Sequence, residues 1–242
     1  MLNLFHVSDL HFGYEDREAL DWFMAAVERE HPDAVLCTGD ITMRGSAREY
    51  ALARSWLAKL PVPVALVAGN HDVPYYNHMI RRLTTPYARY RALEAGLTQP
   101  DLPGLAVVPL KTIARAQWRL NWSKGRVSNK DLDSAVAELE RLRGDALRIV
   151  IGHHPLVDAD TASTGSTKGG KRALAALARA GAQVALSGHV HDAFDMTIDA
   201  DGLPLRLIGA GTLSKRLRST SPSYNHLAWS AAGGLKNSVI RL

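Results

Sequence analysis

Five short blocks of this sequence carry side chains of the kinds that bind metal ions in catalytic centres. The blocks are Asp9-Leu10-His11, Gly39-Asp40, Gly69-Asn70-His71-Asp72, His153-His154-Pro155 and Gly188-His189-Val190-His191. A set of carboxylate, amide and imidazole ligands without sulfur suits Mn, Fe, Zn or Co rather than a structural zinc site. The candidate ligands are Asp9, His11, Asp40, Asn70, His153, His189 and His191. They are too many for one ion but enough for two that share a carboxylate, and ions about 3.5–4 Å apart can clamp a phosphate and an attacking oxygen.

Each block follows a short apolar run that is typical of a buried strand. These runs cover 2–7, 34–37, 64–67, 147–151 and 183–186. Segments with the apolar spacing of helices cover 16–30, 46–59, 130–143 and 171–180. Alternating strands and helices predict parallel strands with crossover helices, and such sheets bind ligands beyond the carboxyl ends of their strands. We therefore expect five strand ends to bring the blocks to one point.

The remaining segments are less regular. Residues 105–110 and 113–118 predict two adjacent strands, with a hairpin as one arrangement, and a helix is expected over 86–95, beside the site. Later runs predict antiparallel strands at 194–198, 205–208, 224–229 and 238–242. Residues 158–170 are small and polar, which is typical both of a flap over the site and of a plain connector, and both interpretations remain open.

Length and composition limit the interpretation. The 242 residues fit one α/β domain, so we expect a single domain over 1–242. The net charge of +5 is accounted for by solubility or by attraction of anionic substrates, and no long run of Lys and Arg predicts a nucleic-acid-binding tail. The single cysteine, Cys37, excludes an internal disulfide and fits a reducing compartment. The sequence shows neither a targeting segment nor an apolar run of about 20 residues, so we expect a cytoplasmic protein without a membrane span.

The five blocks, in this order, resemble the calcineurin-like metallophosphoesterase superfamily. Its pattern is Asp-x-His, Gly-Asp, Gly-Asn-His-Asp, His-x-Pro and Gly-His-x-His, and the match runs from Asp9 to His191. The resemblance implies a four-layer α-β-β-α sandwich of two mixed sheets flanked by helices. It also implies two divalent or trivalent ions (Mn, Fe, Zn or Co), with Asp40 bridging them. By resemblance the first ion is held by Asp9, His11 and His191, and the second by Asn70, His153 and His189.

The same resemblance assigns catalytic roles to two further residues. It implies that His71 faces the substrate phosphate, where it stabilises developing charge or protonates the leaving oxygen. Asp72 is implied to orient His71, as carboxylates behind catalytic groups do. A metal-bridging hydroxide is implied to attack phosphorus in line.

Looser blocks are similar to one branch of the superfamily, which contains the bacterial class III cyclic nucleotide phosphodiesterases. These blocks are Gly39-Asp40-Ile41-Thr42 with Gly45 and Glu49-Tyr50, then Asn70-His71-Asp72-Val73-Pro74, then Gly211-Thr212, Ser214, Arg216, Ser223 and Asn225. The branch implies a phosphodiesterase of small diesters, with cyclic nucleotides among the candidates. The chain is short for this branch, which indicates a small cap or none.

Two rival functions remain open. Gly-Asn-His-Asp also occurs in the metallophosphoesterases of double-strand-break repair, which act as nucleases, and the fold also serves as a non-catalytic scaffold. The lack of a long basic stretch speaks against nucleic acid as the substrate, and intact candidate ligands in all five blocks speak against a scaffold. The expected partner is a small-molecule phosphodiester. The oligomeric state stays open, with a homodimer as one alternative.

Several basic and histidine residues are not part of the metal-ligand assignment. Lys215, Arg216 and Arg218 form a basic cluster that either binds a substrate phosphate or lies on a solvated surface, and the surface is the favoured interpretation. His154 either touches the substrate or only packs. His6 lies within the first predicted strand and is expected to be an interior histidine with satisfied hydrogen bonds.

Overall fold

The computed structural model describes residues 1–74, 79–113, 124–161, 163 and 167–242. Its strands are β1 (Leu2–Val7), β2 (Ala34–Cys37), β3 (Val64–Leu66), β4 (Leu105–Pro109), β5 (Leu147–Ile151), β6 (Val184–Ser187), β7 (Phe194–Ala200), β8 (Leu203–Gly209), β9 (Ser223–Ser230) and β10 (Gly234–Arg241). Its helices are α1 (Arg17–Glu30), α2 (Ala47–Leu57), α3 (Met79–Thr84), α4 (Ala88–Glu94), α5 (Asn129–Arg141) and α6 (Gly170–Arg179). The strands predicted before the five blocks and the helices predicted from apolar spacing are therefore all present.

The strands form two mixed sheets. The first has the order β10-β9-β1-β2-β3, in which β1, β2 and β3 are parallel and β9 and β10 are antiparallel to their neighbours. The second has the order β4-β5-β6-β8-β7, in which only β7 is antiparallel to its neighbour. The parallel strands that precede the blocks lie in both sheets, so the blocks follow the carboxyl ends of both.

One of the strand predictions differs from the structure, and one is not tested by it. β4 pairs in parallel with β5, and residues 114–118, which the predicted neighbouring strand requires, lie outside the described part of the chain. The four late strands pair as the hairpins β7–β8 and β9–β10, as predicted, but β8 also pairs in parallel with β6. The reason is that the chain forms β7 at the edge of the sheet after β6, and β8 then lies between β6 and β7.

Three apolar layers hold the sheets and helices together. Between the two sheets, Leu4 and Leu36 of the first sheet pack in one cluster with Ile149 of the second. Phe5 packs against the side chains of α1 and α2, and Leu205 packs against those of α5 and α6. Leu4 and Phe5 are both fully buried because successive strand residues point to opposite faces, and both faces are covered. The order helix, sheet, sheet, helix confirms the four-layer sandwich.

The N-terminus of α2 holds the loop that follows β2. Ser46 Oγ accepts a hydrogen bond from the Glu49 N–H at 3.2 Å, and Glu49 Oε2 accepts one from the Ser46 N–H at 3.0 Å. This reciprocal capping box begins the helix. Glu49 Oε2 also accepts a hydrogen bond from the Arg44 N–H at 2.9 Å. The cap therefore fixes the backbone beside Met43, whose carbonyl contacts the candidate metal centre.

The segment beside the site contains α3 in addition to α4, which coincides with the helix expected over 86–95. Tyr90 of α4 donates a hydrogen bond to the Leu66 carbonyl at 2.8 Å, so the tyrosine ties the helix to the end of β3. Residues 162 and 164–166 lie outside the described residues, so the two interpretations of 158–170 both stand. No helix in the described part of the chain combines the length and apolar character that crossing a membrane requires.

His6 lies in β1 and is fully buried. Asn225 Nδ2 lies 3.1 Å from His6 Nδ1 and donates to it, and His6 Nε2 then donates to Thr38 Oγ1 at 3.0 Å. Burial lowers the pKa of His6 to about 3, although the Asp9 charge raises it. The ring is therefore a neutral interior group with both nitrogens hydrogen-bonded, as expected.

The buried neutral ring of His6 predicts a specific acid sensitivity of folding. An unfolded histidine has a pKa of about 6.5, so below that pH the unfolded chain binds a proton that the folded chain refuses. This group alone should lower the free energy of unfolding by about 1.4 kcal/mol for each pH unit between its unfolded and folded pKa values. Urea denaturation of the metal-free protein between pH 6 and 4.5 should show a shallower pH slope for His6→Gln than for the unsubstituted chain. Equal slopes would mean that His6 is protonated in the folded state.

Candidate metal centre

The structure brings the candidate ligands together at one edge of the sandwich. They lie in loops directly after β1, β2, β3, β5 and β6, and therefore at the carboxyl ends of strands from both sheets. His189 is half-buried, and the other six are buried. Parallel strands of two packed sheets end at the same place, which explains why segments far apart in the sequence meet here.

One group of ligand atoms is formed by Asp9, His11 and His191. Asp9 Oδ1 lies 3.0 Å from His191 Nε2 and 3.5 Å from His11 Nε2. The two imidazole Nε2 atoms are 3.3 Å apart. Burial would raise the pKa of Asp9, but the neighbouring His191 and His11 hold it well below its usual range, so the carboxylate is ionised. Three ligand atoms of three residues thus converge within the reach of one ion.

Asp40 lies between this group and a second one. Asp40 Oδ2 is 3.9 Å from His11 Nε2 and 3.3 Å from His153 Nε2. Asn70 Oδ1 lies 3.2 Å from the same His153 nitrogen. The ring of His189 stands edge-on to that of His153, with 5.2 Å between ring centroids. One carboxylate oxygen therefore approaches imidazole nitrogens of both groups.

Backbone carbonyls fix the tautomers of two of these histidines. His153 Nδ1 lies 2.8 Å from the Thr38 carbonyl, and His191 Nδ1 lies 2.5 Å from the Arg216 carbonyl. Because a carbonyl only accepts, each Nδ1 carries a hydrogen, so Nε2 is the atom that faces the carboxylates, and in the neutral ring it presents a lone pair to them. Asp9 Oδ1 is consequently a buried acceptor without a hydrogen-bond partner among the described residues. Acceptors that face each other in this way fit a cation placed between them.

The ionisable groups of the site also favour added positive charge. Burial lowers the pKa of a histidine, but the Asp40 carboxylate outweighs burial and raises the pKa of His153 to about 9. At His189 the nearby carboxylates Asp40 and Asp9 do not outweigh burial, which lowers the pKa of this histidine to about 3. A proton on His153 and a metal ion would occupy the same lone pair. Protons and metal ions therefore compete for this site.

Five site residues have backbone conformations that L-residues rarely adopt. Their φ angles are positive: 56° at Asp9, 47° at His11, 49° at Asp40, 71° at His189 and 63° at His191. Each such residue costs about 1–3 kcal/mol and persists only where its surroundings hold it, and strain of this kind clusters at functional sites.

Glycines next to the ligands permit the close approach of these loops. A Cβ on Gly69 would overlap the Asp40 carboxylate, and one on Gly188 would overlap the Ser8 hydroxyl and lie 2.5 Å from Asp9 Oδ2. The obstructing atoms belong to the site itself and to the strand end below it. These positions therefore require glycine for packing.

Gly188→Ala should weaken both metal binding and folding. The added methyl group must push Asp9 out of place, so we expect a loss of about 1–3 kcal/mol in stability from overpacking. Metal affinity should fall by at least about tenfold, as it does when the support of a ligand is disturbed. Calorimetry of manganese binding and urea denaturation measure the two effects. The matched control is Gly96→Ala, whose added Cβ would lie 3.4 Å from the nearest atom. Equal results for the two variants would refute the close-approach argument.

His71 stands beside the metal-ligand groups. Its Nδ1 lies 2.7 Å from the Met43 carbonyl, and its backbone N–H donates to Asp40 Oδ1 at 2.8 Å. The ring meets the His11 ring edge-on, with 5.0 Å between centroids. The Met43 carbonyl places the hydrogen on Nδ1 and leaves Nε2 as the nitrogen turned into the site.

Asp72 connects two loops of the site. Its carboxylate accepts hydrogen bonds from the backbone N–H groups of Gly69 at 2.7 Å, Ile41 at 3.1 Å and Thr42 at 2.8 Å. It therefore ties the Gly-Asn-His-Asp loop to the loop of Asp40, and the Met43 carbonyl contacts the ring of His71. Burial and the nearby Asp40 charge raise the pKa of Asp72 to about 7, against the backbone donors, which lower it.

Arg216 and His154 lie closer to the candidate metal centre than we expected from the sequence. Arg216 places Nη1 3.0 Å from His71 Nε2 and is half-buried, whereas its neighbours Lys215 and Arg218 are exposed. His154 is buried, with Nδ1 3.0 Å from Thr112 Oγ1, and packs its ring 4.4 Å from that of His189. The sequence signals were the position of Arg216 in the looser tail block and that of His154 next to a ligand. One nitrogen each of His153, His154 and His189 lies within 4.8 Å of the others.

Known proteins resemble this chain in sequence. The model of the family described as calcineurin-like phosphoesterase matches residues 2–193. A protein of Synechococcus sp. named a probable cyclic nucleotide phosphodiesterase is 27% identical over 205 residues, which cover 80% of this chain and 74% of that protein. A glycerophosphodiester phosphodiesterase of Enterobacter lignolyticus is 35% identical over 80 residues, which cover 28% of this chain and 29% of that protein.

Solved structures resemble it in fold. The crystal structure of a dimetal phosphatase from Danio rerio superposes with a TM-score of 0.71 and covers 99% of this chain and 98% of its own. The two sequences are 15% identical, so the likeness concerns the fold alone. It agrees with the two mixed sheets and flanking helices described above.

Proposed function

Because this chain belongs to the calcineurin-like phosphoesterase family and is thus a phosphoester hydrolase, we propose that it cleaves small phosphodiesters at a two-metal centre. One observation carries the proposal: Asp40 Oδ2 lies 3.9 Å from His11 Nε2 and 3.3 Å from His153 Nε2, between two groups of ligand atoms. A shared carboxylate between two imidazole-rich groups is what a pair of neighbouring ions requires. The whole of 1–242 would serve as one domain around this centre.

The described residues fit two ions by the chemistry and direction of their donor atoms. The first ion would be held by Asp9, His11 and His191, the second by Asn70, His153 and His189, with Asp40 shared. Oxygen and imidazole donors suit Mn, Fe, Zn or Co. When bound, the ions would supply Lewis acidity toward the phosphate oxygens and a water molecule activated for attack on phosphorus.

His71 would act on the side of the substrate that is not bound by the metals. Its Nδ1 is fixed by the Met43 carbonyl, so only Nε2 can exchange a hydrogen bond or a proton with the substrate. With Nδ1–H held by the Met43 carbonyl, the ring would hydrogen-bond the phosphate or deliver a proton to the leaving oxygen from Nε2 in its doubly protonated, imidazolium form. The loop that carries His71 is held by Asp72 through the N–H groups of Gly69, Ile41 and Thr42. Asp72 would thereby position His71 and Asp40 relative to each other.

Two observations support a small diester as the substrate class. The relatives are named as phosphodiesterases, one of them for cyclic nucleotides and one for glycerophosphodiesters. A cavity of about 250 Å³ lies beside the Asn70 loop, and Ala68, Tyr87, Arg91 and Lys111 are among its lining residues. The cavity is slightly smaller than the roughly 300–1,000 Å³ of pockets for drug-sized ligands, which suits the small alcohol part of an ester, and none of the candidate metal ligands is among its described lining residues.

Hydrolysis of a matched substrate panel tests the proposal. Manganese-reconstituted protein would be assayed on an aryl phosphomonoester, the corresponding aryl phosphodiester, cyclic AMP and single-stranded DNA, with Asp40→Asn as the background. We expect the aryl diester to be cleaved faster than the monoester. Cleavage of cyclic AMP would name the nucleotide class, and its absence would move the natural substrate to another small diester. Exclusive cleavage of the monoester, or DNA cleavage with a steep salt dependence of binding, would refute a small-diester enzyme.

A further inference from the structure

Arg216 brings a positive charge next to His11 and His71. Its Nη1 lies 3.0 Å from His71 Nε2, 3.5 Å from His11 Nε2 and 3.9 Å from Met43 Sδ. The residue follows β8 and lies beyond the segment that the family model matches, which ends at residue 193. The guanidinium therefore reaches the site from a part of the chain outside that match.

The loop that carries Arg216 is built into the site. Thr212 Oγ1 donates to the Asp9 carbonyl at 2.7 Å and lies 2.8 Å from Ser214 Oγ. Ser214 Oγ in turn accepts a hydrogen bond from the Arg216 N–H at 3.3 Å. The Arg216 carbonyl accepts the Nδ1 hydrogen of His191 at 2.5 Å. The backbone of Arg216 is thus connected to two candidate metal ligands, which fixes the place from which its side chain extends.

The charge of Arg216 has no acidic partner within the described residues. Other arginines of the chain do pair: Arg206 makes two hydrogen bonds with Asp195, at 2.8 and 2.7 Å, and Arg179 lies 2.9 Å from Asp201. The guanidinium of Arg216 is half-buried and contacts imidazole nitrogens and a thioether instead. Arginine stays protonated at every accessible pH, so this charge is permanent. A permanent cation that is partly removed from water and lacks a counterion is well placed to receive an anion.

We propose that Arg216 binds a phosphate oxygen of the substrate, next to His71. This inference rests on the proposed phosphodiesterase function, because it assigns a further residue to the same centre. Arg216 Nη1 and His71 Nε2 lie 3.0 Å apart, so an oxygen that enters beside this contact can meet both groups. Binding replaces the contact between the arginine and His71 by a contact between the arginine and phosphate. The guanidinium then offsets charge that builds up on the phosphate oxygens during attack.

Binding of inorganic phosphate tests this role without any turnover. Manganese-loaded Arg216→Gln should bind phosphate more weakly by at least about tenfold in calorimetric titration, the loss that one charge-assisted hydrogen bond accounts for. Arg216→Lys keeps the charge and should retain part of the affinity. Arg218→Gln is the matched control, since Arg218 is exposed in the same loop, and it should bind phosphate as the unsubstituted protein does. The metal content should be the same in all variants, because the contact with His191 uses the Arg216 carbonyl.

Kinetics supply an independent readout. For the aryl diester, kcat/KM should fall in Arg216→Ala, and added ethylguanidinium should restore part of it. The assignment of Arg216 as a phosphate-binding residue would be overturned if Arg216→Gln bound phosphate as tightly as Arg218→Gln does. It would also be overturned if both Arg216→Lys and Arg216→Gln lost metal. If the unsubstituted protein cleaves only monoesters while Arg216→Gln binds phosphate weakly, the diester proposal fails and the role of Arg216 stands.

Discussion

Asp40→Asn is expected to leave the protein with one bound metal ion or none, and to lower kcat by at least about 10³-fold. Asp40 Oδ2 is the oxygen that approaches both His11 and His153, so its charge serves both groups of ligands. Asparagine keeps the size of the side chain and an oxygen that can accept the His71 N–H, which Asp40 Oδ1 accepts at 2.8 Å. The substitution therefore removes the negative charge with little change in shape. The expected fall in kcat corresponds to the loss of several kcal/mol of charge stabilisation in the transition state.

Metal analysis by inductively coupled plasma mass spectrometry, after manganese loading and gel filtration, measures the first effect. The control is Asp21→Asn, since Asp21 is an exposed aspartate of α1 and belongs to none of the five blocks. Asp21→Asn should keep full metal content and full activity. Two ions per chain in Asp40→Asn would contradict the shared position of this carboxylate.

His71→Ala is expected to keep its metal ions and to lower kcat by about 10²–10⁴-fold, the range that a positioned acid or base contributes. His71 Nδ1 is bound to the Met43 carbonyl, and its Nε2 faces Arg216 at 3.0 Å rather than the carboxylates. Its ring is therefore placed to touch substrate, whereas its backbone N–H remains available to Asp40 in the alanine variant. Steady-state kinetics on the aryl diester and metal analysis of the same preparation measure the two quantities.

His226→Ala is the matched control for His71→Ala. His226 is a partly exposed histidine of β9 that contacts Asn3, outside the site. His226→Ala should change neither the kcat for the aryl diester nor the metal content. Loss of metal from His71→Ala would make His71 a ligand, and unchanged turnover would remove it from the reaction.

Much of this arrangement could be predicted from the sequence, because two independent patterns coincide in it. Apolar runs such as 147–151 indicate buried strands, and blocks such as His153-His154-Pro155 come directly after them. Parallel strands place the loops at their carboxyl ends along one edge, so strand prediction and ligand prediction supported each other. The four-layer order followed from the family resemblance, and the apolar clusters on both faces of each sheet agree with it.

The rest depends on contacts that residue types do not reveal. The Met43 and Thr38 carbonyls orient His71 and His153, but any residue supplies a carbonyl, so nothing in the sequence marks these two. Asp72 also accepts hydrogen bonds from the backbone N–H groups of Ile41 and Thr42, and the sequence does not mark these groups either. Arg216 resembled its exposed neighbours in sequence, and only the path of the chain after β8 turns it toward His71.

Titration of the metal-free protein with manganese tests the central claim most directly. Bound manganese and hydrolysis of the aryl phosphodiester would be measured on the same samples. The two-metal account predicts that binding ends at two ions per chain and that diester hydrolysis rises to its full value only as the second ion binds. Full activity with a single ion per chain, or diester hydrolysis that persists after complete removal of metal, would contradict it.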